Sequence, residues 1–129
     1  MKKNAMNNKK QRVVVVGASP KPERYSNQAV RLLARHGHEV VPVHPAATDI
    51  EGIPAVSCLA DVEGHVDTIT LYVSGARSSA LADAIIRLRP GRVIFNPGTE
   101  NPALQAALND HGIATEEACT LVLVNSGQF

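Results

Sequence analysis

Apolar residues along this chain alternate between two periodicities. Val13 to Val16 is an unbroken β-branched run closed by Gly17, the pattern of a strand buried on both faces of a parallel sheet. From Ser26 to His36, Ala29, Val30, Leu32 and Leu33 recur at helical spacing, with Ser26 or Asn27 as N-cap and Gly37 at the end. His38 to Val43 predicts a second strand, with Pro42 requiring an exposed or irregular position. Ala46 to Val56 reads as loop, and Ser57 to Val62 as one helical turn. Val66 to Val73 predicts a third strand. Ser78 or Ser79 then caps a helix marked by Leu81, Ile85 and Leu88 and stopped at Pro90-Gly91. Arg92 to Phe95 is a fourth strand. Asn101-Pro102 opens a helix that carries Leu104, Ala107 and Leu108 and ends at Gly112. Ile113 to Glu116 predicts a fifth strand. Ala118 to Val124 stays open, because its β-branched composition favours a strand and its position after a strand favours a crossover helix.

Strand and helix alternate at the spacing of βαβ units, which predicts an α/β fold: one doubly wound parallel sheet of about five strands. In such folds ligands lie outside the C-terminal ends of the strands, so candidate chemistry belongs in the loops that follow them.

A length of 129 residues suits a single domain. No apolar run approaches the ~18 residues of a membrane-spanning helix, and no secretory signal pattern is present. Cys58 and Cys119 form no Cys-x-x-Cys pair, which argues against a disulfide framework or a thiolate metal site and favours a reducing cytoplasm. Five basic residues and no acid fall within residues 1–12, so 1–11 reads as a basic, disordered leader and 12–129 as the domain. From Val13 onward eight basic residues face twelve acidic ones, a net charge of −4. With only four aromatic side chains besides, this body is poorly suited to nucleic acid.

The loop Gly17-Ala18-Ser19-Pro20-Lys21-Pro22-Glu23-Arg24-Tyr25-Ser26 is too long and polar for a minimal turn. Gly17 permits close backbone approach. Ser19, the first amides of the helix, Lys21 and Arg24 form a candidate diphosphate cradle at the positive end of the helix dipole; a simple turn with solvated charges is the alternative. The loop matches neither Gly-x-Gly-x-x-Gly nor a P-loop. The second strand ends at Val43-His44-Pro45, where NAD sites place an acid on the ribose. Histidine there disfavours NAD and is compatible with a phosphorylated ribose, as in NADP or coenzyme A. Two further strand ends, Tyr72-Val73-Ser74-Gly75-Ala76-Arg77 and Phe95-Asn96-Pro97-Gly98-Thr99-Glu100, are rich in turn residues. Arg77 would add charge near phosphates, and Asn96 and Gly98 hydrogen bonds or room for the distal part of a ligand.

The combination Gly17-Ala18-Ser19-Pro20, Arg24-Tyr25-Ser26, Pro42-Val43-His44-Pro45, Glu51-Gly52-Ile53-Pro54, Leu59-Ala60-Asp61 and Val66-Asp67-Thr68 resembles the stand-alone bacterial CoA-binding proteins. These are single Rossmann-like domains similar to the CoA-binding domain of the succinyl-CoA synthetase alpha subunit. The likeness covers nearly all of residues 12–129. It implies coenzyme A or an acyl-CoA as bound ligand, with Gly17, Ala18, Ser19 and their loop on the phosphates, supported by Arg24 and Tyr25. It also implies that Val43, His44 and Pro45 flank the adenosine, and that Val73, Asn96, Pro97 and Gly98 face the pantetheine arm. The chain departs from the family in carrying His44-Pro45-Ala46 where Asn-Pro-Lys is common, and Glu117-Ala118-Cys119 where many members have Asp-Arg-Cys.

No catalytic set emerges. The synthetases that contain a similar domain use a phosphorylated histidine and a nucleotide-binding domain elsewhere. Cys119 has no activating context in sequence, and the adjacent Glu116 and Glu117 point to opposite faces of a strand. The expectation is a non-enzymatic CoA-binding module that senses the cofactor or presents it to a protein partner. An NADP-dependent oxidoreductase fragment and a partner-docking domain are the competing readings.

Overall fold

The computed structural model describes residues 9–129. Most of the expected basic leader thus lies outside the described residues, and the structure says nothing of it. Five strands, β1 (Arg12–Val16), β2 (Glu39–Val43), β5 (Thr68–Leu71), β6 (Arg92–Phe95) and β7 (Ala114–Glu117), form one parallel sheet in the order β2-β1-β5-β6-β7. The chain winds outward from β1 to the edge strand β2, then returns past β1 to β5 and continues outward. The switch point between β1 and β5 is where such a sheet opens a crevice.

The valine run of β1 is apolar throughout because both faces are covered. Val14 and Val16 enter one core with Ile69, Leu71, Val93 and Phe95, whereas Val13 and Val15 enter the other with Ala29, Val30 and Leu33. Helices α3 (Ala82–Leu88) and α4 (Pro102–Asp110) contribute Ile85, Leu104 and Leu108 to the first core. Helices α1 (Tyr25–Arg35) and α5 (Thr120–Asn125) cover the second face. Pro42 is tolerated because β2 is an edge strand. Its carbonyl points outward to accept from the Val56 N–H, so the ring nitrogen faces away from β1 as well.

Several local expectations are corrected. Ser26 and Asn27 do not cap α1: the helix starts one residue earlier, with Arg24 at the N-cap position and no side-chain cap. Ser78 and Ser79 do not cap α3 either. A short helix α2 (Gly75–Ser78) and a 3-10 turn (Ser79–Leu81) lead into it, and the Ser78 and Ser79 hydroxyls donate back to the Gly75 carbonyl. The expected loop 46–56 contains a hairpin, β3 (Asp49–Ile50) and β4 (Ile53–Pro54), turned by Glu51 and Gly52, both at positive φ. Residues 120–125 resolve the open C-terminal segment as helix α5, which buries Thr120 and Val124 while Val122 faces solvent. By contrast Asn101 caps α4 as expected, its Oδ1 accepting the Leu104 N–H at 3.1 Å with Pro102 at the first helical position.

His38, just before β2, accepts the Gln11 N–H at Nδ1 (3.0 Å) and lies beside the Phe129 ring. Burial first, then the charges of His36 and Arg92, hold its pKa below the usual histidine value. The unfolded chain therefore takes up this proton more readily, so the stability His38 contributes is present above about pH 6.5 and is lost as pH falls through the folded value. In urea titrations between pH 8 and pH 5, His38→Phe is expected to be less stable at pH 8 and to lose less stability on acidification than the wild type. Parallel profiles would show that another group sets the slope.

Candidate functional site

At the end of β1, Gly17 adopts φ +83°, and a Cβ there would lie 2.9 Å from Val73 Cγ1 and 3.1 Å from the Tyr72 carbonyl oxygen. Only glycine lets the two strand ends approach this closely. Ala18 is buried, and its N–H donates to the Val43 carbonyl at 3.2 Å. That bond removes the Ala18 amide from the groups expected at a phosphate, and its role is to tie β1 to β2.

The polar loop then folds back on α1. Asn27, fully buried, donates through Nδ2 to the Ser19 carbonyl (2.9 Å) and to Glu51 Oε2 in the hairpin turn (3.0 Å), while its Oδ1 accepts from Arg31 Nε (2.8 Å). One amide side chain thus clamps loop, helix and hairpin together. Ser19 Oγ accepts the Lys21 N–H (3.1 Å), leaving its own O–H free to donate. Helix α1 has no acid in its first turn, and Arg24 adds a cation at the positive end of its dipole.

Gly17, Ser19, Arg24, Tyr25 and Ser26 line one side of a cleft of about 340 Å³, and Tyr72, Val73, Ser74, Pro97, Gly98 and Thr99 line the rest. This is the switch-point crevice. Lys21 and Arg77 are exposed outside its lining. Tyr25 stands over it 72% exposed. The Gly98 N–H is already held by both Glu100 carboxylate oxygens at 3.1 Å, so what Gly98 offers the cleft is room.

Asn96 corrects a second expectation. It is 2% exposed, and its Nδ2 donates to Thr70 Oγ1 (2.6 Å) and the Leu71 carbonyl (2.9 Å), while its Oδ1 accepts the Thr120 N–H (2.9 Å). Both Nδ2 donors and one Oδ1 acceptor position are thus taken, and the side chain fixes the ends of β5 and β6 to the start of α5. Beyond it lies a second, more enclosed hollow of about 310 Å³, bounded by Tyr25, Tyr72, Asn96, Pro97, Cys119 and Leu121. It shares Tyr25, Tyr72 and Pro97 with the cleft. The Tyr72 hydroxyl is buried with no hydrogen-bond partner among the described residues, and burial pushes its pKa up to about 12, so it stays protonated.

His44 is brought to the β2 end with its Nδ1 accepting the N–H groups of Ala46 (3.0 Å) and Ala47 (2.9 Å). Those bonds place the ring hydrogen on Nε2, making His44 a neutral donor toward a ligand and not the cation a phosphate partner would suggest. Val43 is buried in the core, whereas Pro45 is exposed. Sequence reasoning did not select Tyr72, Ser74, Thr99, Cys119 or Leu121 as site residues. Tyr72, Ser74 and Thr99 flank chosen residues in the same strand-end motifs. Cys119 and Leu121 reach the site only because 120–125 is helical. A wider hollow of about 520 Å³ lies at the opposite end of the sheet, where Arg12 bonds Glu39 and Asp67 bonds His65, away from the strand ends where the switch-point crevice opens.

The model of the CoA binding domain matches residues 11–125. The uncharacterized protein YneT of Bacillus subtilis (strain 168) is 28% identical over 75 residues, a match that spans 58% of this chain and 56% of that protein. A crystal structure of an uncharacterized protein superposes with TM-score 0.87 at 37% identity, over 94% of this chain and 99% of the other. The structure of cell-free ID.343 from Thermus thermophilus gives TM-score 0.86 at 26% identity, over 99% and 97%. The dinucleotide-forming acetyl-coenzyme A synthetase 1 of Ca. Korarchaeum cryptofilum shares the fold, with TM-score 0.73 at 20% identity over 84% of this chain and 25% of that one.

Proposed function

Because this chain belongs to the CoA binding domain family, we propose that it binds coenzyme A or an acyl-CoA across the C-terminal edge of its sheet, without itself catalysing a reaction. The observation that carries this reading is the start of α1. An eleven-residue helix with neither a side-chain cap nor an acid in its first turn points into the crevice beside Arg24 and Ser19. Unused amides, dipole and guanidinium together suit an anionic group such as the CoA diphosphate. The adenosine then lies toward His44 and Pro45, with His44 Nε2 as donor, and the pantetheine arm crosses Val73, Pro97 and Gly98. The closeness of the β1 and β5 ends at Gly17 lets the main chain itself line the phosphate end.

Such a module senses the cofactor or hands it to a protein partner. The acetyl-coenzyme A synthetase that shares the fold is far longer, this chain covering 25% of it, consistent with chemistry located outside this fold unit.

Calorimetric titration with CoA, 3′-dephospho-CoA, NAD and NADP is the direct test. CoA is expected to bind best, with weaker affinity once the 3′-phosphate is removed. Arg24→Ala is expected to weaken CoA about 5- to 10-fold, the worth of one exposed charge-assisted contact of ~1 kcal/mol, and to flatten the salt dependence. Lys21→Ala, outside the cleft lining, is expected to change the salt dependence more than the affinity. Preference for NADP would replace the reading with a redox one, and unchanged titrations for Arg24→Ala would remove the phosphate assignment.

A further inference from the structure

Resting on that reading, we infer that the second hollow is an acyl pocket, and that this protein selects thioesters of short, uncharged aliphatic acids over free CoA and over dicarboxylic thioesters.

The hollow adjoins the cleft on the side where the proposed pantetheine arm passes Pro97. It begins at Tyr25, Tyr72 and Pro97, which line both spaces, and ends at Cys119 and Leu121 beside the start of α5. A ligand whose phosphates lie at α1 and whose arm passes Pro97 brings its sulfur, and whatever the sulfur carries, to this mouth.

The lining determines what fits there. Its residues are two aromatic rings, a proline, a leucine, a cysteine and one amide, with no charged side chain among them. The amide belongs to Asn96, whose two N–H donors are both engaged, so it has no donor left for a carboxylate. The Tyr72 hydroxyl is itself sequestered from solvent, so that residue presents its ring. A carboxylate entering this space would lose its hydration and find no cation in the lining to compensate. An aliphatic chain would shed water against rings and methyl groups. The space of about 310 Å³ is at the small end of small-molecule pockets, suited to an acyl chain of a few carbons.

The test is a calorimetric panel of CoA, acetyl-CoA, butyryl-CoA and succinyl-CoA on the wild-type protein. Each methylene seated in the hollow is expected to tighten binding about 4-fold, so butyryl-CoA should bind best. Succinyl-CoA, with the same number of acyl carbons, is expected to bind at least about 10-fold more weakly than butyryl-CoA. Leu121→Lys places a cation at the partly exposed rim and is expected to invert the succinyl-to-butyryl preference; Cys119→Arg serves the same purpose if the first variant does not fold. Equal affinities across the panel, or succinyl-CoA binding tightest to the wild type, would overturn the acyl pocket while leaving CoA binding intact. Failure of every CoA species to bind would remove the underlying reading and the pocket with it.

Discussion

Gly17→Ala is expected to lower the free energy of unfolding by about 3 kcal/mol and to abolish measurable CoA binding. Two costs combine at this position. The backbone sits at φ +83°, where an L-residue costs about 1–2 kcal/mol. The added Cβ would also stand 2.9 Å from Val73 Cγ1 and 3.1 Å from the Tyr72 carbonyl oxygen. The Val73 methyl is able to rotate, but the Tyr72 main chain is anchored, since its N–H donates to the Val16 carbonyl at 2.9 Å. Relief therefore requires β1 and β5 to separate at their ends, an overpacking cost of about 1–3 kcal/mol. Gly37, at φ +88° with nothing within 4 Å of where a Cβ would lie, is the internal control. Gly37→Ala is expected to show the conformational cost alone, about 1–2 kcal/mol, with CoA binding retained. Urea denaturation of both variants isolates the contact term as their difference. Equal losses would mean that the close approach of the two strand ends carries no energetic weight.

That contact also marks where sequence stops being legible. Gly17 after a valine run announces a strand end and a turn, yet nothing local says that Tyr72 and Val73 press against it. The buried strand β1, the Asn101-Pro102 helix start and a cleft at the strand ends are all readable, because each rests on neighbours in sequence. The hairpin at 49–54 is hidden because its turn is Glu51-Gly52, with glutamate at φ 53° in place of the asparagine or aspartate that usually signals such a turn. The start of α1 misleads for a related reason. Ser26 and Asn27 have the chemistry of caps, but Asn27 is drawn inward to bind Ser19 and Glu51, and the helix begins uncapped where an anion is expected. In α5, Val122 and Val124 carry a strand preference that burial of Thr120 and Val124 against the sheet overrides. Polar residues of the site divide accordingly. Ser19 and Arg24 keep groups available at the cleft, whereas Ala18, Asn96 and Gly98 have theirs engaged by long-range or loop bonds that no motif encodes.

Asn96→Leu is expected to cost about 3–5 kcal/mol, the largest loss among substitutions at this end of the sheet. Leucine matches asparagine closely in shape, so the change is one of hydrogen bonding more than of volume. It strips the Leu71 carbonyl and the Thr120 N–H of a buried partner each, and takes one from Thr70 Oγ1, which keeps only Thr120 Oγ1 at 2.8 Å. Buried groups left unsatisfied cost about 1–3 kcal/mol each, and the Thr120 amide has few alternatives inside the first turn of α5. Because that turn carries Cys119 and Leu121, its loosening should reach the ligand before the fold as a whole gives way. At temperatures where the variant is still folded, the preference for butyryl-CoA over CoA is expected to shrink more than the affinity for CoA itself, whose phosphate end lies at α1. Denaturation midpoints and the same thioester panel measure the two effects. A stability loss below about 1 kcal/mol would show that Asn96 is not the strut its three bonds describe.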